Sequence, residues 1–226
     1  MNSNANVTAN TKSGTDARTK RITTVGMLCA IAFLMVLFFR IPVVLFLSYE
    51  PKDVMITIGG FMFGPWTAMV ISVIVSFIEM ATISSTGIIG CVMNILASCC
   101  FACPAAYLYK RDHTLKGAAI GLVSGIVLAT IAMLLWNYLL TPIYMGYPRD
   151  AVEALLVPVF LPFNLFKGGL NTAFVLLLYK PIVTALRKAG LVPPSVQNAK
   201  QHNMGVLLVV GLIFVTCVLM FVTLKG

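Results

Sequence analysis

From Ile22 to Phe39 the chain carries no charged side chain, and similar, nearly charge-free runs recur at 66–83, 88–109, 117–140, 155–185 and 204–224. A hydrocarbon layer about 30 Å thick takes about 20 apolar residues of helix to cross. Inside it an unpaired backbone N–H or C=O has no water to turn to, so only helices and closed barrels can span. The runs are continuous in their apolarity and do not alternate, which selects helices. Composition agrees: 59% of residues are hydrophobic and 10% charged, against about 25% charged in soluble domains. The expected fold class is an all-α membrane protein.

Net charge is +9, which in a soluble protein would raise the question of nucleic acid. The cations instead gather at alternate ends of successive runs. Lys12, Arg18, Lys20 and Arg21 precede the first, Lys110, Arg111 and Lys116 separate two later ones, and Lys180, Arg187, Lys188 and Lys200 follow another. That is the distribution of cytoplasmic loops, and it lacks the contiguous basic face that a nucleic-acid partner requires. It predicts an amino terminus in the cytoplasm and membrane lipid as the surrounding medium.

Walking the runs inward and outward gives a compact bundle of six helices over 20–190. The second, Val54–Phe63, is about half of a straight span, and Gly59, Gly60, Gly64 and Pro65 punctuate it. Residues 1–19 read as a disordered cytoplasmic tail. A polar linker, 191–203, leads to an additional transmembrane helix over 204–224. Gly26 and Ala30 form a small-xxx-small pair, and Gly117, Gly121 and Gly125 a row, spacings that let helix backbones approach closely in lipid. For the glycine row, packing inside the bundle is expected.

Few groups could do covalent chemistry. His113 and His202 are the only histidines and both fall in loops, so a zinc protease lacks its ligands and a serine hydrolase its base. No phosphate-binding Gly-x-x-x-x-Gly-Lys-Ser/Thr occurs. Cys100 and Cys103 form a Cys-x-x-Cys without a second pair or a neighbouring histidine, and they read as small packing residues. The chain is therefore expected to be no enzyme, with no metal and no resident cofactor.

Polar residues remain near the outer ends of the runs. Asn164, Lys167 and Asn171 fall within about 60° of one another on a helix, and a lysine at that depth must snorkel, pair or meet a ligand. Asn137 and Asn94 carry amides that need partners. Glu79 reads as a functional carboxylate or as a partner for Lys167. With the acidic loop of Glu50 and Asp53, this set suits a flat heteroaromatic solute with imide-like edges. Phosphate is disfavoured, since Lys167 is the one candidate cation.

Three stretches, Leu47-Ser-Tyr-Glu-Pro-Lys-Asp53, Phe63-Gly-Pro65 and Pro162-Phe-Asn-Leu-Phe-Lys-Gly168, resemble in order and spacing the riboflavin-binding S components of energy-coupling-factor (ECF) transporters. The likeness covers about residues 20–190. It implies riboflavin capture from outside, docking on a transmembrane coupling subunit, and drive from two cytoplasmic ATPase subunits. Matching motif to motif, it places flavin contacts on Glu50, Asn137, Asn164 and Lys167, to which Asn94 is added from the residue reading. Glu50 departs from the aspartate expected there. The family's coupling-subunit patch falls on Gly26 and Ala30, with glycine replacing the first alanine, and the seventh run departs from the six-helix pattern. Other readings are an S component for a different vitamin, or a membrane enzyme or assembly factor.

Overall fold

A computed structural model describes residues 3–45, 47–84, 86–146 and 148–191, with Gly211, 213–215 and Val218 beyond them. Most of the linker and of the run at 204–224 lies outside the described residues. Of that run, Phe214 meets Phe174 edge-on, with ring centroids 6.1 Å apart.

Helix α1 (Ser3–Phe39) leads into a small antiparallel hairpin, β1 (Ile41–Val44) and β2 (Leu47–Tyr49). There follow α2 (Lys52–Phe63), α3 (Pro65–Thr82), α4 (Gly87–Arg111), α5 (Leu115–Met145), α6 (Arg149–Leu155) and α7 (Leu161–Lys188). Among the described residues, five helical stretches, 16–39, 65–82, 87–111, 115–143 and 149–188, are long and apolar enough to cross a bilayer. The sixth element is the short one: α2 has 12 residues, about 18 Å of helix.

Its sequence explains how so short a helix is kept. Residues 52–61 are all buried; beyond the charged first turn only Thr57 interrupts the apolar surface, and α2 is wrapped by α1, α3, α4 and α7. Val54, Ile56 and Ile58 share a core with Leu28, Ile71, Phe101 and Leu122. At its C-terminal end Gly64 takes φ +96, a conformation for which glycine is suited. Pro65 then starts α3, where a missing N–H costs nothing.

The glycine row behaves as its spacing predicts. A Cβ on Gly121 would lie 2.8 Å from the carbonyl oxygen of Ala105, and one on Gly125 would run into that of Phe101, so α5 lies backbone to backbone on α4. Gly168 on α7 instead makes room for a side chain of α5, since a Cβ there would meet Ile126 Cγ1 at 2.9 Å. By contrast, a Cβ on Gly26 meets nothing within 4 Å, and Gly26 and Ala30 both face away from the bundle.

One local expectation changes, and the connections take definite form. The polar stretch expected to be disordered is helical from Ser3 on, since extending a formed helix needs no new nucleus. The hairpin after Phe39 packs its Val43, Leu47 and Tyr49 on Phe160, Phe163 and Phe166. Between α5 and α7 the chain forms α6 and a π-helical turn, Leu156–Phe160, holding Pro158.

The bundle has two unlike ends. At one, Arg21 donates to Thr67 at 2.9 Å and its guanidinium lies over Phe63 at 5.6 Å, while Lys110 approaches Gly64. At the other, the hairpin closes over a polar cavity.

A polar cavity under the hairpin

The cavity encloses about 290 Å³ between the hairpin, α2, α3, α4, α5 and α7. Leu47, Met93, Phe101, Ile126, Met133 and Phe163 give it apolar walls. Glu50, Asn94, Asn137, Asn164 and Lys167 all line it, as do Arg40, Asp53, Glu79 and Asn171. The five residues singled out from sequence are thus brought together from four separate segments.

Charges are paired from the hairpin downward. Glu50, just after β2, takes Arg40 Nε on Oε1 at 3.2 Å and Lys52 Nζ on Oε2 at 2.9 Å. Lys52 also reaches Oε2 of Glu79 on α3, and Glu79 Oε1 accepts from Asn94 Nδ2 at 3.0 Å. Burial alone would push the Glu50 carboxyl up, but Lys52, Lys167 and Arg40 together hold it below its ordinary value. Lys52 itself is 1% exposed, a full positive charge in the bundle interior.

A second group centres on Asp53 in the first turn of α2. Its Oδ1 accepts from Ser98, and its Oδ2 accepts from Asn171 Nδ2 at 3.1 Å, with Lys167 Nζ 3.5 Å away. Asn171 Oδ1 in turn accepts the Tyr49 hydroxyl at 3.0 Å. Three carboxylates are thereby matched by three cations, which is how buried charge is kept tolerable.

The amides differ in what they have left to offer. Asn137 is fully buried, donates to Met133 O at 2.7 Å and accepts from Thr141 at 3.0 Å. Asn164 donates to Phe160 O at 2.8 Å, which leaves its carbonyl oxygen and a second N–H. Asn94 has one N–H on Glu79 and an uncommitted carbonyl oxygen.

Two sequence readings are corrected here. Glu79 pairs with Lys52, while the carboxylate near Lys167 is Asp53. Nor is Lys167 the one cation of the site, since Arg40 lines the cavity and Lys52 sits behind it. Arg40, Lys52, Ser98 and Tyr49 gave no sequence signal as site residues. Asp53 and Asn171 did, through the acidic loop and the shared helical face.

Residues 20–179 match the family described as ECF transporter, substrate-specific component. This chain belongs to that family. The S component is 31% identical over 188 residues to the riboflavin transporter FmnP of Bacillus subtilis, covering 77% of this chain and 99% of that protein. It is 26% identical to the riboflavin transporter RibU of Staphylococcus aureus, over 75% of this chain and 93% of that one. Among solved structures, it superposes with a TM-score of 0.64 on the S component of a bacterial ECF transporter. That match has 27% identity and covers 75% of this chain and 99% of the other. It is accordingly a multi-pass membrane transport component and not an enzyme.

Proposed function

We infer that this S component takes up riboflavin, binding it from outside in the cavity under the hairpin and passing it inward when docked on an ECF module. The observation that carries this reading is the cavity itself: apolar walls to enclose a flat ring, with amides and a lysine at its edge. Relatives that match over nearly their whole length are named riboflavin transporters.

Within it, Lys167, Asn164, Asn137 and Asn94 hydrogen-bond the flavin, and Glu50 contacts it from the foot of the hairpin. The cavity opens at the end opposite Arg21 and Lys110, so the positive-inside rule sets it outside and the amino terminus in the cytoplasm. The outward-facing Gly26 and Ala30 pack on a transmembrane coupling subunit, which two cytoplasmic ATPase subunits drive. Riboflavin is cargo here, and no resident cofactor enters the scheme.

Equilibrium dialysis of the purified protein against riboflavin, thiamine and biotin tests the assignment. Saturable retention of riboflavin alone is expected, and protein purified with bound flavin is yellow. Retention of thiamine or biotin instead would move the assignment to another vitamin.

A further inference from the structure

Lys52 is among the largest fully buried side chains of the described residues, at 1% exposed. It does not line the cavity, yet both carboxylates it binds do. Its neighbours come from every element around it: Glu50 after β2, Asp53 on its own helix, and Glu79 on α3. Arg40 beyond α1 and Lys167 on α7 complete the charged set through Glu50 and Asp53.

We propose that Lys52 is a positioning residue for ligand capture, whose ammonium keeps Glu50 and Glu79 ionised and through Glu79 orients the Asn94 amide toward the cavity. An ionised Glu79 can only accept, so it draws an N–H of Asn94 onto Oε1. The Asn94 carbonyl oxygen is then the atom that meets a ligand donor, such as an imide N–H or a chain hydroxyl. Remove the ammonium, and two carboxylates face each other in a buried site with one cation fewer. One of them then binds a proton. A protonated Glu79 donates as well as accepts, and Asn94 loses its fixed orientation. The charge arrangement stands on the geometry alone, whereas the identity of the ligand rests on the riboflavin reading above.

The test uses the full chain in detergent, with Lys52→Met, Lys52→Met/Glu79→Gln and Lys52→Arg. Infrared pH-difference spectra of the ligand-free proteins come first. Between about pH 5 and 8 the wild type should show no buried carboxyl taking up a proton, Lys52→Met should show one, and the charge-balanced double variant should lose it. Riboflavin titrations over the same range should be flat for the wild type. In Lys52→Met, affinity should fall by about tenfold or more and become pH-dependent. The double variant, whose amide at position 79 donates as well as accepts, should be flat with pH again without regaining the full affinity, and Lys52→Arg should retain most of the affinity. If all variants weaken equally with no new proton uptake, Lys52 only fills space and the proposal fails. It fails equally if Lys52→Met binds riboflavin as the wild type does. If the wild type binds no riboflavin, the ligand assignment has failed, and the ligand-free spectra still decide whether Lys52 holds the carboxylates ionised.

Discussion

Lys167 Nζ on α7 stands 3.5 Å from Asp53 Oδ2 on α2, longer than the about 2.7–2.9 Å of a closed charge-assisted hydrogen bond. Lys52, by comparison, is in closed contact with Glu50 and Glu79. The two buried-end lysines are therefore unlike: one is consumed by its partners, and the other has donors to spare at the cavity wall.

For that reason Lys167→Ala should weaken riboflavin binding by about tenfold to a hundredfold, as expected for losing a charged hydrogen bond. Asp53 keeps Ser98 and Asn171, so insertion and folding should persist. Fluorescence titration of the purified variant measures this. Unchanged affinity would mean that the lysine serves Asp53 alone.

Acid should act through Glu50. Its carboxyl is held below its ordinary value when folded, so the stabilisation it gives is complete above the unfolded value and fades as pH falls through the depressed one. Melting temperature should stay level from neutral pH down to about 5 and decline in stronger acid. In Glu50→Gln part of that acid slope should vanish, which a pH series of thermal melts would reveal.

Gly121→Val should disrupt the seam between α4 and α5, because its side chain has only the Ala105 backbone to displace. Overpacking of this kind costs about 1–3 kcal/mol, read as a lower unfolding temperature in detergent. The same substitution at Gly26, where nothing lies within 4 Å, should leave that temperature unchanged.

Gly26→Leu should instead separate binding from transport. Riboflavin affinity of the isolated protein should match wild type, whereas uptake by cells carrying the whole complex should drop severalfold, since a small-residue contact tolerates no bulk. Loss of both together would place Gly26 in the fold and not at a docking face.

What could be read from sequence follows from range. Asn164, Lys167 and Asn171 lie within two turns of one helix, and their shared face needs only the helical repeat. The glycine row is legible for the same reason. Lys52 was not, because a lysine beside Pro51 in a polar stretch reads as solvated. Its burial depends on Glu79, 27 residues away on another helix. Nor does the hairpin announce itself: no Asn-Gly or Asp-Gly marks its turn, and Leu45 takes the left-handed φ of +51 that glycine usually supplies. Such features come from packing against partners that the local pattern does not name.

Gly26 and Arg40 are joined by one uninterrupted rod, since α1 runs unbroken to Phe39, and fourteen residues of helix put them about 21 Å apart. Arg40 pins Glu50 at the foot of the hairpin. If Gly26 and Ala30 take the coupling subunit as proposed, a tilt imposed there is carried along that rod to the guanidinium at the cavity mouth.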